Sequence, residues 1–311
     1  MEIYRTASDI NEHKPSAIAL GFFDGLHIGH TELIKRCVEF AKESGLSADV
    51  FTFRDHPKNI LGGNILIPRL ITEADKLFGL ENLGVDRVFD FDFTDDFHAM
   101  TPEGFARDLL KGLFSAEAVF CGFNFHFGAN ASGNPDTLKE LGRAFGFETQ
   151  VLEPVYISGR LVSSSLIRRC INSGDVEPAG RLLGRDYVLS GNVVKGRGLG
   201  RLFQFPTANF FPDESMTLPA YGVYVTETLV DGTLYPSISN IGVSPTIDDS
   251  TAVRVESYIL DKEISLYGKN IKVYFKKMLR EERHFEGTEA LKRQISADTE
   301  YARRYFYTLN Q

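Results

Sequence analysis

The chain has 311 residues, long enough for two domains with separate cores. Its 43% hydrophobic and 24% charged residues are the make-up of a folded protein, which excludes a disordered one, and a formal net charge of −8 argues against nucleic acid as a main partner. No apolar run reaches the roughly 20 residues of a membrane span, and Glu2, Arg5, Asp9, Glu12 and Lys14 occupy the place where a leader peptide would carry its apolar core.

The apolar stretch 17–20 predicts a short buried strand, and 31–42 predicts a helix. Between them lies Gly-Phe-Phe-Asp-Gly-Leu-His-Ile-Gly-His at 21–30. Strand, glycine-rich turn and helix together let backbone N–H groups approach an anion at the positive end of a helix. Gly21, Phe22, Phe23, Asp24 and Gly25 are therefore candidate nucleotide-binding residues. His27 and His30 are three apart and share a face of a first helical turn. Two imidazoles there can donate hydrogen bonds to an α-phosphate and stabilise the charge that grows as pyrophosphate leaves. The plain alternative is a tight turn flanked by two surface histidines.

A second strand is predicted at 48–53, ended by His56-Pro57 in a loop at the ligand edge of the sheet. Thr72-Glu73-Ala74-Asp75 resembles a capping box and opens a helix that Gly84 stops. Strands follow at 86–91, 117–122 and 148–152, separated by helices that begin at Thr101-Pro102 and Asn134-Pro135. This alternation implies a doubly wound parallel sheet. In the loop 122–128 the phenylalanines read as core plugs, while Asn124 puts a donor and an acceptor on the ligand edge. Ser163, Ser164 and Ser165, flanked by Arg160 and Arg168, read either as a helix cap or as a phosphate cradle.

A helix from Asp175 to Gly184 closes this half, and the domains are placed at 1–184 and 185–311. Beyond the boundary the helical spacing gives way to strands at 187–194, 221–230, 251–260 and 270–276, with Asp231-Gly232 as a hairpin signal and a helix over 286–309. Such spacing predicts a small antiparallel barrel or sandwich. The glycine-rich basic stretch 191–201, with Gly191, Lys195 and Gly196, can fold over phosphates or be a solvated hairpin loop. Thr207 and Asn209 are two apart, so in an extended segment their oxygens point the same way, which suits Mg²⁺. Arg254, Glu256 and Tyr258 share one face of a strand. Glu256 is a candidate base for a hydroxyl proton in phosphoryl transfer. Cys37, Cys121 and Cys170 form no Cys-x-x-Cys pair and no zinc spacing, which predicts reduced thiols in a cytoplasmic protein.

The string Gly-Phe-Phe-Asp-Gly-x-His-x-Gly-His resembles the bacterial FAD synthetases, a branch of the nucleotidylyltransferase superfamily. Phe205-Pro206-Thr207-Ala208-Asn209, downstream of a glycine-rich basic loop, resembles riboflavin kinase. The resemblance covers essentially the whole chain. It implies a Rossmann-like nucleotidylyltransferase domain followed by a riboflavin kinase-like β-barrel with a C-terminal helix. It implies two activities: riboflavin to FMN with Mg-ATP in the C-terminal domain, and FMN plus ATP to FAD and pyrophosphate in the N-terminal one. By resemblance His27, His30, Asn124, Arg160 and Ser163 act in adenylyl transfer, Thr207 and Asn209 meet the Mg-ATP, and Glu256 is the kinase base. Arg280, Glu281 and Phe285 lie in a flavin-side loop, and with no Trp in the chain an isoalloxazine could stack only on Phe or Tyr. The chain departs from the family pattern at His126, where arginine is common, at Ser165 for threonine, and at Gln204 for glycine. An enzyme with one domain reduced to a binding module, and an aminoacyl-tRNA synthetase-like enzyme, are the alternatives. The second lacks a Lys-Met-Ser-Lys-Ser-like loop. A homo-oligomer is compatible with the sequence.

Overall fold

The central strands of the first half are buried on both faces because helices cover both sides of the sheet. A short strand β1 (Glu2–Tyr4) that the sequence does not signal comes first, followed by the five expected: β2 (Ser16–Leu20), β3 (Ser47–Phe53), β4 (Arg87–Phe91), β5 (Ala116–Gly122) and β6 (Glu148–Leu152). In the computed structural model, which describes residues 1–56, 59–60, 66–195, 205–245, 251–262, 264 and 266–309, these six pair in parallel in the order β1-β4-β3-β2-β5-β6. The chain thus leaves β2 towards β3 on one side and returns at β5 on the other. This is a topological switch point, where a crevice opens beyond the strand ends.

Successive residues of β2 face opposite cores. Ala17 and Ala19 meet Leu33, Ile34 and Cys37 of α1 (Ile28–Ser44) and Leu80 of α2 (Glu73–Asn82). Ile18 and Leu20 meet Phe51, Phe89 and Phe114 on the other side. Thr72 caps α2 as predicted, its hydroxyl accepting the Asp75 N–H at 3.1 Å. After a short helix α3 (Asp95–Ala99), the helix expected from Thr101 begins normally as α4 (Pro102–Gly104). It then widens to π geometry over Phe105–Leu113, and this brings Phe105, Ala106, Leu109 and Leu110 onto the sheet. Helix α5 (Pro135–Phe145) is capped by Asn134, which accepts the Asp136 and Thr137 N–H groups at 3.0 Å. One buried ion pair crosses the sheet: Asp49 on β3 and Arg87 on β4 are register partners, Nη2 to Oδ2 2.6 Å.

The chain divides into two units, Met1–Ser164 and Ser165–Gln311. The first ends with the hairpin β7 (Tyr156–Ile157) and β8 (Arg160–Leu161), after which α6 (Ser164–Asn172) begins. In the second unit α7 (Val176–Leu183) packs on β9 (Tyr187–Asn192) and β14 (Asn270–Glu281), which draws these helices to the barrel side of the predicted boundary. With β10 (Ala208–Phe210), β11 (Gly222–Val230), β12 (Thr233–Pro245) and β13 (Thr251–Ile259) they form an antiparallel sheet in the order β10-β13-β12-β11-β14-β9. A bridge, Val194 N–H to Asn209 O at 2.8 Å, stitches its two edges and curls it into a barrel. The Asp231-Gly232 turn joins β11 and β12 as expected. Strand β12 itself carries Pro236, Asn240 and Gly242 and is not signalled by the sequence.

Inside the barrel Thr226, Thr228, Ser237, Ser239 and Ser257 are buried, and neighbouring hydroxyls lie 2.8–2.9 Å apart. Each buried hydroxyl is thereby satisfied. On the outer face Val225, Ile238 and Leu260 pack against Ala302, Tyr305 and Phe306 of the closing helix α8 (Thr288–Leu309).

Candidate active sites

The first site sits beyond β2. Phe23, Gly25 and Leu26 have φ of 53°, 84° and 39°. A left-handed conformation at a bulky residue costs about 1–3 kcal/mol and persists only where the surroundings enforce it. Here both side chains are buried, and the loop is tied from three directions. Thr52 Oγ1 donates to the Phe22 carbonyl at 3.0 Å, the Leu70 N–H donates to Asp24 Oδ1 at 2.8 Å, and Ser164 Oγ donates to the Asp24 carbonyl at 3.0 Å. Asp24 therefore clamps the loop through both its backbone and its side chain. Gly21 spends its N–H on the Phe51 carbonyl at 3.3 Å.

The constraint delivers the two histidines. His27 caps α1, and its Nδ1 accepts the His30 N–H at 3.2 Å. An imidazole that accepts at Nδ1 is left with Nε2 as its donor. The His27 and His30 rings stack with centroids 3.5 Å apart and planes inclined by 16°. A side chain at Gly29 would press on the His27 ring at 3.3 Å, so glycine there makes room for the imidazole. Asn124 is exposed on the turn after β5, across the switch point, beside an exposed His126. Phe127 is buried against Phe105, as a core plug should be, whereas Phe123 is exposed. Arg160 is exposed on β8, Ser163 directly precedes α6, and Arg168 lies on α6 in the second unit. His56 keeps an edge contact with Phe22, ring centroids 4.8 Å apart. Ser164 and Thr52 are the anchors that sequence reading missed. Of three consecutive serines, helix phase alone selects the one that reaches Asp24.

The second site lies on the outer face of the barrel. Phe205 packs edge-on to Tyr258 at 5.3 Å, and Asn209 on β10 is the direct register partner of Glu256 on β13. Opposed residues of antiparallel strands share a face, with Cβ atoms about 5 Å apart. The Asn209 carboxamide N–H donates to Thr207 Oγ1 at 3.3 Å and to the Thr207 carbonyl at 3.1 Å, which leaves the carboxamide oxygen as its ligating end. Among the described residues no group of three His, Cys, Asp or Glu side chains could hold a metal. A cation here would rest on the neutral oxygens of Thr207 and Asn209 and on phosphate, a donor set that fits Mg²⁺. Glu256 is ion-paired through Oε1 with Arg254, two residues along the same face.

Arg280 is on this face too, as the register partner of Val223. Its guanidinium donates to Asp298 of α8 at 2.9 and 3.0 Å, and Gln294 Nε2 donates to the same carboxylate at 2.6 Å. Phe285 lies under two guanidiniums, with Arg280 at 5.5 Å and Arg283 at 4.8 Å from the ring centre. Glu281 is not brought to them. It is exposed and pairs with Gly222, and strand alternation sends it to the other face from Arg280. Asp298 and Gln294 went unread, although their i, i+4 spacing is a helix-face signal. Gly191 has a packing reason, since a side chain there would strike the Phe210 ring at 2.5 Å where β9 approaches β10. Lys195 is exposed directly after the bridge residue Val194. Gly196, Arg197, Arg201 and Gln204 lie outside the described residues, as does Pro57.

Two family models match the chain, FAD synthetase over residues 9–166 and riboflavin kinase over residues 183–306. The chain belongs to the family of bifunctional riboflavin kinases/FMN adenylyltransferases. It is a transferase with both activities. Proteins of that description from Bacillus subtilis (strain 168) and Escherichia coli (strain K12) are 35% and 33% identical to it. The alignments cover 96% and 93% of this chain, and 95% and 92% of theirs. A solved structure described as a macrolide-efflux protein from Streptococcus pneumoniae superposes with a TM-score of 0.88 at 30% identity, covering 97% of this chain and 98% of that one. Among the described residues no helix is long and apolar enough to cross a membrane.

Proposed function

We propose that the two activities divide between the two sites. The barrel face converts riboflavin to FMN, and the loop beyond β2 converts FMN to FAD. The functional boundary is at residue 184, in keeping with the two family models. One observation carries the reading: Asn209 and Glu256 are direct cross-strand partners, so a metal-side carboxamide and a carboxylate stand side by side on one rigid face.

In the kinase site the terminal ribityl oxygen attacks the γ-phosphorus of ATP. The new O–P bond forms as the bond to the β,γ-bridging oxygen breaks, and ADP leaves. Glu256 takes the hydroxyl proton, on the carboxylate oxygen that Arg254 does not hold. Thr207 and Asn209 are the residues that would hold Mg²⁺ with the phosphates, where it supplies charge neutralisation. In the adenylyltransferase site a phosphate oxygen of FMN attacks the α-phosphorus of a second ATP, and pyrophosphate departs without a covalent enzyme intermediate. His27 and His30 donate to the α-phosphate as charge builds on it, with Asn124, Arg160, Ser163 and Arg168 as further phosphate contacts. The protein works in the cytoplasm on small molecules alone, in keeping with its buried thiols, outside any disulfide.

The test is one incubation of riboflavin, ATP and Mg²⁺ with the wild type, Glu256→Gln and His27→Ala, the products being separated by chromatography. Glu256→Gln should stop FMN formation from riboflavin and still convert added FMN to FAD. His27→Ala should accumulate FMN. A variant that loses both conversions or neither would overturn the division.

A further inference from the structure

Strand register sets out the barrel face as a row. Asn209 opposes Glu256, Glu256 opposes Asn240, Asn240 opposes Val223, and Val223 opposes Arg280. With adjacent strands about 4.8 Å apart, the row runs roughly 19 Å from the metal-side residue to the Arg280–Phe285 cluster. Glu256 stands second in the row and Asn240 third, one strand from the base on the side away from Asn209. The other half of the face, around Val225 and Ile238, is covered by Ala302, Tyr305 and Phe306 of α8. The row itself stays open enough that Glu256 and Asn240 are only half-buried.

The order constrains the substrate. The alcohol oxygen must lie at Glu256, between the phosphates on the Asn209 side and the rest of the flavin on the other. An extended ribityl chain, roughly 6 Å long in ordinary carbon geometry, then runs over Asn240, one strand from Glu256, and brings the isoalloxazine over Val223 towards Arg280 and Phe285. Val223 is buried and apolar, so it offers the chain no hydrogen bond. Asn240 is the polar member of the row between Glu256 and Arg280. Its carboxamide can both donate and accept, as a row of hydroxyls requires, and among the described residues it is committed to no other side chain.

We propose that Asn240 is a substrate-positioning residue of the kinase site, reading the inner hydroxyls of the ribityl chain and so delivering the terminal one to Glu256. This rests on the assignment of Glu256 as the base. A site built to bond a hydroxyl rejects an analogue that lacks it, because its own polar group is then left unpaired. The experiment is a cycle of two enzymes and two substrates: wild type and Asn240→Ala, each with riboflavin and with flavins deoxygenated at one inner ribityl carbon.

With riboflavin, Asn240→Ala should raise KM for the flavin about 10-fold and leave KM for ATP unchanged. For the deoxy analogue whose missing hydroxyl is the one read, the two enzymes should become equal. Asn240→Gln should recover part of the loss, and an unchanged KM for ATP in FMN formation by the same preparations reports that the barrel is folded. Equal penalties for Asn240→Ala on riboflavin and on every deoxy analogue would overturn the proposal, as would unchanged flavin kinetics. Glu256→Gln is run alongside. If it still phosphorylates riboflavin, the base assignment itself has failed. If it is inactive while Asn240→Ala behaves as wild type, only the role of Asn240 falls.

Discussion

The two units build their sites in opposite ways. The first takes its histidine pair from one contiguous loop, residues 21–30, held in a strained shape by Thr52, Leu70 and Ser164. The second lays out residues from five different strands on the face of a sheet, where the ladder alone fixes their spacing. A loop site is tuned by its tethers and a sheet site by its register. The first should therefore tolerate small displacements of the loop, and the second should not tolerate a change in side-chain reach.

The largest effect should come from the support beneath the first site. Arg87 meets Asp49 inside the sheet and also donates to the Lys14 carbonyl at 3.0 Å. Burial pushes the Asp49 carboxyl up, and the guanidinium opposes that shift. Arg87→Met strands a buried charge, and the first unit should lose about 3–5 kcal/mol. Pairing it with Asp49→Leu should recover most of that loss. On stepwise heating of Arg87→Met, FAD formation should fail at a lower temperature than FMN formation. Simultaneous loss would break the comparison, because the units would then melt as one.

The next effect belongs to the sheet site. Glu256→Asp withdraws the carboxylate by one methylene on a face that cannot follow it. FMN formation should fall about 100-fold in kcat, with FAD formation from added FMN unchanged. A loss of only a few-fold would mean that the face adapts as a loop does.

The same contrast decides what the sequence discloses. His27, His30 and the turn that carries them are legible because spacing along ten residues is also spacing in the site. Thr207, Asn209 and Glu256 are legible as motifs, yet their adjacency is a fact of register between β10 and β13, which lie far apart in the chain. Asn240 is invisible for the same reason, and because β12, broken by Pro236 and Gly242, does not read as a strand. Strand β1 escapes because three residues carry too little pattern, and the π turn over Phe105–Leu113 because its apolar spacing also suits an α-helix. Glu281 illustrates the converse. It follows Arg280 in a family-like string, and alternation sends it to the other face.

A smaller effect tests the tethers. Ser164→Ala removes one hydrogen bond to the Asp24 carbonyl and leaves those from Thr52 and Leu70 to hold the strained turn. The loss should be about 1 kcal/mol, read as a roughly 5-fold rise in KM for ATP in FAD formation with no change in FMN formation. An equal change in both conversions would place the effect outside the loop.

The smallest effect concerns chemistry that the folded chain suppresses. All three cysteines are buried thiols, outside any disulfide. Burial pushes the Cys37 thiol far up, helped by the nearby Asp49 charge, and raises the Cys121 thiol to about 12. The reacting species is the thiolate, so at neutral pH an alkylating reagent should label almost none of the native protein. Cys37 and Cys121 lie in the two cores of the first unit, and Cys170 on α6 in the second. Labelling during stepwise denaturation of Arg87→Met should accordingly expose Cys37 and Cys121 together and Cys170 later. If Cys170 reacted in step with the other two, cooperativity would extend past Ser164, and the loop site and the sheet site would share one folding unit.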